Sequence, residues 1–223
     1  MLRPPARHGR HRGTALPLVA VALTGLLVAG GCASSAAEDE AIALMEEGVA
    51  AGRAGDLDAA ARLLTRAGET REGFVDPWMR LANVHEHRGD LDAARAAYER
   101  ALASDPTYTA AGVALATTYL REGRDAEATT WLRRAVDADP GFEPALFNLG
   151  MLATKQGRRA EAADWLRLAA ALDLRSPDAL VALARLHREG GRPDDARAAA
   201  ESALERAPGH PKALELLAAL PPR

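Results

Sequence analysis

The stretch that decides the fold is VDPWMRLANVHEHRGDLDAARAAYERALASDPTY, residues 75–108. Its first half spaces packing residues at i, i+3, i+4 and i+7, as one face of a helix does: Trp78, Leu81, Ala82 and His85. Its second half has a similar apolar face: Ala94, Tyr98, Ala101 and Leu102. Gly89 separates the two halves, and Pro106 ends the unit because proline cannot continue a helix. The stretch therefore predicts two helices joined by a short turn, a helical hairpin.

The same unit recurs along the chain with a period of 34 residues. Glycine keeps this step at Gly55, Gly89, Gly123, Gly157 and Gly191. Alanine keeps it in two further series, which begin at Ala60 and Ala67 and end at Ala196 and Ala203. One further position is always small, and there the two helices can approach closely: Gly48, Ala82, Ala116, Gly150 and Ala184. A fixed period of this length indicates an array of stacked repeats.

The pattern resembles the tetratricopeptide repeat family, whose signature positions are matched by Trp78, Leu81, Ala82, Gly89, Ala94, Tyr98, Ala101 and Pro106. The resemblance implies an all-α, right-handed solenoid of five 34-residue hairpins over residues 41–210. Residues 211–223 are expected to form a capping helix and tail, since a terminal repeat needs a shield.

Two copies depart from the pattern. Copy four has Leu174 where the closing proline is expected, and Pro177 follows three residues later. Copy one, from Ala41, has Glu47 where leucine is usual and no closing proline before Pro77. The helix ends of copy one are therefore the least defined by sequence.

Residues 1–31 have the composition of a secretion signal. Four arginines and no acidic residue precede an apolar run at residues 14–30. The run ends in Ala29, Gly30, Gly31 and Cys32, which resembles the cleavage box of bacterial lipoproteins. That resemblance implies lipidation of Cys32, with residues 32–40 as a lipid-anchored linker. A chance thiol and an uncut signal anchor are the alternatives.

The resemblance to lipoproteins also implies a location in the bacterial cell envelope. Ala33, rather than aspartate, follows the cysteine. In a cell with two membranes, this favours the periplasmic face of the outer membrane. Residues 33–40 would span at most about 28 Å if fully extended, which places the first repeat close to the lipid surface.

The charge balance excludes one class of partner. Without the four arginines of residues 1–31, 24 basic side chains stand against 31 acidic ones, a net charge of about −7. Nucleic-acid-binding domains favour strongly basic surfaces, so we expect no nucleic acid partner. Cys32 is the only cysteine, so a disulfide within the chain is impossible.

In tetratricopeptide arrays the first helices of successive hairpins line a concave groove. Carried over to this chain, one row is entirely apolar: Met45, Met79, Val113, Phe147 and Val181. A neighbouring row is mixed: Val49, Asn83, Thr117, Met151 and Arg185. A third row, one turn further along, includes Glu86, Leu120, Thr154 and Arg188. These rows predict a site for an extended or helical peptide, with apolar affinity and polar backbone contacts. The alternative is that the apolar row partly packs between hairpins.

No arrangement of residues indicates catalysis, and we expect no enzyme activity, cofactor or metal. His85 and His87 lie two apart on a helix and do not face each other, so packing explains His85 better than metal binding. Asp56 and Asp90 begin equivalent turns and are expected to cap the second helices. The apolar row holds no lysine or arginine, which disfavours the carboxylate clamp of chaperone-binding arrays.

The sequence thus favours a membrane-anchored adaptor that holds protein partners in its groove. Lipoproteins with this architecture assist pilus or secretin assembly or recruit cell-wall enzymes, and the pilus-assembly type is the most similar. The alternative is an accessory or regulatory subunit of an envelope enzyme complex, with catalysis supplied by the partner.

Overall fold

The computed structural model of the chain describes residues 20–222, with side chains from residue 35 onward. Eleven α-helices follow one another in the described part. They are α1 (Ala20–Arg53), α2 (Leu57–Thr70), α3 (Val75–His87), α4 (Leu91–Ser104), α5 (Thr109–Arg121), α6 (Asp125–Ala138), α7 (Glu143–Lys155), α8 (Arg159–Leu172), α9 (Asp178–Glu189), α10 (Pro193–Arg206) and α11 (Pro211–Ala218).

The helices pack as five successive hairpins. Each odd-numbered helix up to α9 contacts the next helix most extensively, and each hairpin then contacts the following one. The last helix, α11, lies against α9 and α10. The predicted all-α array of five hairpins and a capping helix is therefore confirmed.

Small residues allow the two helices of a hairpin to lie close together. A Cβ atom at Gly48 would stand 2.9 Å from Cγ of Leu64, and one at Gly150 would stand 2.7 Å from Cγ of Leu166. Ala82, Ala116 and Ala184 at the equivalent positions are fully buried. The predicted close approach is confirmed.

The turn within each hairpin depends on a backbone conformation that favours glycine. The five recurrent glycines have φ between +71° and +86°, and a Cβ there would meet no neighbour within 4 Å. Their backbone conformation, rather than a lack of space for a side chain, therefore explains why glycine recurs at these positions. The Asp56 carboxylate accepts from the Ala59 N–H at 2.8 Å, and Asp90 accepts from the Ala93 N–H at 3.0 Å. Both predicted caps are confirmed.

The joints between hairpins use a second series of aspartates with the same period: Asp105, Asp139 and Asp173. Each carboxylate accepts a backbone N–H two residues further on, at 2.8 or 2.9 Å. These bonds hold the chain in a tight turn before the next first helix. They also lower the pKa of Asp173, because backbone N–H groups favour the charged form.

The joint between α8 and α9, where the closing proline is displaced, has an additional support. The guanidinium of Arg206 in α10 donates to the carbonyl oxygens of Ala170, Asp173 and Ser176 at 2.9, 2.8 and 3.1 Å. Carbonyls at a helix end lack a partner within the helix. Arg206 provides that partner, a contact that the repeat pattern does not indicate.

The predicted linker at residues 32–40 is part of α1 and is helical. Residues 33–47 contain neither proline nor glycine and are rich in alanine, so nothing interrupts the helix. Eight helical residues rise about 12 Å, less than half of the extended length. Glu38 in this segment pairs with Arg71 at 3.1 Å, which ties it to the first hairpin.

Residues 1–19 of the predicted signal peptide lie outside the described residues, as does the side chain of Cys32. The signal and the lipidation site therefore stay predictions. Within the described part, no helix combines the length and the apolar character needed to cross a membrane.

Candidate functional site: the groove along the first helices

The first helices form the inner face of the array. Contacts run directly from α1 to α3, from α7 to α9 and from α9 to α11. First helices that touch across hairpins lie on the shorter, concave side. The rows predicted as a peptide site are carried by these helices.

The apolar row is largely packed. Val113 is only 8% exposed and belongs to a core cluster. The other four members are partly buried against core residues: Met45, Met79, Phe147 and Val181. The row therefore packs between hairpins in part, as the alternative held, and its accessible edges form the floor of the groove.

The neighbouring row is more accessible. Asn83, Thr117 and Arg185 are exposed, whereas Val49 and Met151 are partly buried. The Asn83 carbonyl accepts from the Tyr98 hydroxyl at 3.3 Å. Burial raises the pKa of Tyr98 to about 12, so this hydroxyl keeps its proton and stays a donor. The Asn83 amide is therefore oriented by the second helix of its own hairpin.

Two further contacts orient the mixed row. The Thr117 hydroxyl donates to the Val113 carbonyl at 2.9 Å, a bond within its own helix. The Arg185 guanidinium lies 3.9 Å from the Met151 sulfur in the previous hairpin. In this row the Thr117 hydroxyl is hydrogen-bonded within its own helix, whereas the Asn83 amide and the Arg185 guanidinium are exposed.

Cavities lie at both ends of the groove. The amino-terminal one has a volume of about 330 Å³ and is lined by the first two hairpins. The carboxyl-terminal one, about 220 Å³, is lined by Val181, Arg185, Arg188, Lys212, Glu215 and Leu216. The groove rows predicted from the sequence include Arg185 and Arg188 but not Lys212. Only the packing of α11 brings Lys212 to this cavity.

A row of basic side chains at the carboxyl ends of the first helices was also missed. Arg53, His87, Arg121 and Lys155 follow the 34-residue step, so the sequence carried the signal. Carboxylates pair with two of them: Glu86 with Arg121 at 3.7 Å, and Asp125 with Lys155 at 2.7 Å. The middle of the row is thereby neutralised.

The described side chains give no sign of metal chemistry. No group of three or more histidine, cysteine, aspartate or glutamate residues among them could hold a metal ion. His85 is partly buried, and burial lowers its pKa. The equivalent His187 is 4% exposed and also has a lowered pKa from burial. The partial burial of His85 agrees with its interpretation as a packing residue.

Five stacked hairpins with a groove along their first helices define a repeat solenoid that presents a continuous surface. The chain belongs to the tetratricopeptide repeat family. It matches the family description "Tetratricopeptide repeat" over residues 45–109, 86–149, 145–178 and 177–220. No curated protein matches the chain in sequence.

Solved structures share the fold. PilF of Pseudomonas aeruginosa is 21% identical with a TM-score of 0.67, over 82% of this chain and 82% of that chain. PilW, described as a type IV pilus biogenesis factor, is 22% identical with a TM-score of 0.64, over 79% and 82%. YrrB, described as having an unusual peptide-binding site, is 20% identical with a TM-score of 0.61, over 79% and 91%. At these identities the likeness concerns the fold.

Proposed function

We propose that this protein is an adaptor of the bacterial cell envelope that binds protein partners in the groove of its first helices. The observation that carries the proposal is the partly buried apolar row beside exposed Asn83 and Arg185. Apolar edges supply affinity to a bound segment, and the amide and guanidinium bind its polar groups. Catalysis, where it is needed, belongs to the partner.

The anchor is the second part of the proposal. Lipidated Cys32 would hold the chain at the membrane, and α1 continues without a break from that residue into the first hairpin. A helix is stiffer than an extended linker, so the groove would keep a set orientation to the lipid surface. The envelope location rests on the sequence of residues 1–32.

Pilus assembly is the pathway to test first. PilF and PilW share the fold over about four fifths of this chain, and PilW is described as a pilus biogenesis factor. The wider proposal covers secretin and other envelope assembly, since a shared fold does not define a shared partner.

The experiment is crosslinking in intact cells, followed by purification of the full chain and identification of bound proteins. The variants Met79→Asp and Phe147→Asp place a charge on the floor of the groove. We expect loss of crosslinked envelope proteins with an unchanged helical circular dichroism signal. Undisturbed crosslinking would place the site on the convex face or in the loops, and recovery of cytoplasmic proteins alone would contradict the envelope location.

The same preparation tests the alternative of an accessory or regulatory subunit. A captured enzyme is assayed with and without this protein. A rate that changes on binding favours the regulatory role, whereas an unchanged rate with altered location or assembly favours the adaptor.

A further inference from the structure

The amino-terminal cavity lies where α1 carries no side chain at Gly52, since the space beside Gly48 is filled by Leu64. Gly48 and Gly52 are one helical turn apart and both line it. Four of the remaining lining residues are apolar: Val49, Leu57, Leu64 and Val84. The other copies carry a side chain at the position of Gly52: Glu86, Leu120, Thr154 and Arg188. The first hairpin therefore has an apolar recess at a position where the other four hairpins carry a side chain.

Two arginines and a histidine surround this recess. Arg53, Arg80 and His87 line the cavity of about 330 Å³ together with Asn83. Arg53 and Arg80 also line an adjoining cavity of about 420 Å³, next to Met45 and Glu46. Both arginines are exposed. The two cavities share Val49, Arg53 and Arg80 as lining residues, so an apolar recess and two arginines lie next to each other.

The charges of this rim are available to a ligand. Arg121 and Lys155, which follow Arg53 in the periodic row, pair with carboxylates of neighbouring helices. No described carboxylate lies within ion-pair distance of Arg53 or Arg80. Glu46 lines the outer cavity without reaching either guanidinium. The array thus neutralises its basic row in the middle and leaves it open at the first hairpin.

We infer that this site binds a partner segment in which one apolar side chain is flanked by acidic side chains. The apolar side chain enters the recess beside Gly52, and the carboxylates pair with Arg53 and Arg80. Guanidinium groups favour carboxylates through paired, charge-assisted hydrogen bonds. The three basic groups stand around the recess and match several carboxylates better than one terminal carboxylate. The inference rests on the proposed function and names the partner chemistry at one end of the groove.

Three blocked peptides test the inference on the full chain by isothermal titration calorimetry. They are acetylated and amidated forms of Glu-Glu-Leu-Glu-Glu, Gln-Gln-Leu-Gln-Gln and Glu-Glu-Ala-Glu-Glu. We expect the first to bind about tenfold or more tightly than the third, because a buried leucine side chain is lost in the third. The glutamine peptide loses the charge-assisted bonds and is also expected to bind at least about tenfold more weakly.

Variants of the protein locate the binding. Gly52→Leu fills the recess, and the fold accepts it because Leu120 holds the equivalent position and a Cβ at residue 52 would meet only Ala60, at 3.6 Å. It should abolish the preference for leucine over alanine. Arg80→Gln should weaken the preference for glutamate over glutamine, with Arg53 left as the remaining arginine. The matched control, Arg121→Gln, removes an arginine already paired with Glu86 and should leave both preferences unchanged.

Equal binding of the three peptides, or preferences that are unchanged in both Gly52→Leu and Arg80→Gln, would overturn the inference. The adaptor proposal is judged separately, by the effect of Met79→Asp and Phe147→Asp on crosslinked partners. If those variants lose their partners while the three peptides bind equally, the adaptor proposal stands. Only the inference that the partner carries an acidic motif is then contradicted.

Discussion

Gly68 of α2 lies directly against the indole of Trp78 in α3, where a Cβ atom at residue 68 would stand 2.4 Å from Cε2 of the ring. Trp78 is 4% exposed, and the Arg100 guanidinium lies 4.8 Å from the centre of its ring. In the next repeat the sizes are reversed, because Leu102 stands at the position of Gly68 and Gly112 at the position of Trp78. Both residues line a cavity of about 40 Å³. Successive hairpins therefore pack through complementary volumes rather than identical residues.

Gly68→Ala should destabilise the protein by about 1–3 kcal/mol, because the added methyl overlaps a rigid, enclosed ring. The measurement is chemical denaturation followed by circular dichroism. Gly112→Ala is the matched control, since its Cβ would meet the Ala135 Cβ at an ordinary 3.8 Å. Alanine is favoured over glycine within a helix, so the control should gain up to about 1 kcal/mol. Equal effects of the two variants would contradict the packing argument.

Arg95 should be essential to the joint between hairpins two and three. It is 8% exposed, pairs with Glu122 at 2.6 Å and also contacts Asp92. Arg95→Met removes the buried cation that Asp92 and Glu122 share, so the thermal midpoint should fall by a few degrees. Arg133→Met, at an exposed arginine 3.8 Å from Glu161, should change the midpoint little.

The pairing with Arg95 holds the pKa of Glu122 below its usual value of 4.5. The stabilisation is therefore complete above about pH 4.5 and is lost as the pH falls through the lowered value. The difference in thermal midpoint between Arg95→Met and the wild type should shrink in acid. A difference that stays constant down to pH 3 would contradict the role of this ion pair.

Arg206→Leu should loosen the turn between α8 and α9, because three backbone carbonyls lose their charged donor. We expect a loss of about 1–3 kcal/mol and faster amide exchange at residues 173–178. The turn at residues 139–142, which joins α6 to α7, serves as an internal reference in the same exchange experiment. Arg175→Leu removes an exposed charge from the same turn and should leave exchange there almost unchanged.

His187 should make the last hairpin sensitive to mild acid. Burial lowers its pKa in the folded state relative to 6.5, so the unfolded chain takes up the proton first. The stability of the wild type is fully present above about pH 6.5 and falls as the pH drops below that value. Thermal midpoints at pH 7.5 and 5.5 measure the effect, and His187→Phe should lose less between these values. An identical loss in wild type and variant would contradict the assignment.

Periodicity in the sequence was sufficient to predict the hairpins, because each repeat packs only on its neighbours. A residue such as Gly89 or Ala94 therefore has the same role in every copy, and recurrence alone reveals that role. The helical state of residues 33–40 was not predicted, although their lack of glycine and proline indicated it. The basic row from Arg53 to Lys155 was periodic as well, but its pairing was not visible in the chain.

The sequence by itself determined the helical hairpins, the glycine turns and the caps at Asp56 and Asp90, since these depend on local spacing. Only the tertiary structure decided which charges remain unpaired, how Gly68 accommodates Trp78 and where Arg206 binds the backbone. These contacts join residues of different hairpins and depend on the sizes and directions of individual side chains. The repeating pattern specifies which positions of successive hairpins lie next to each other. The sizes and directions of the side chains decide which contacts form there.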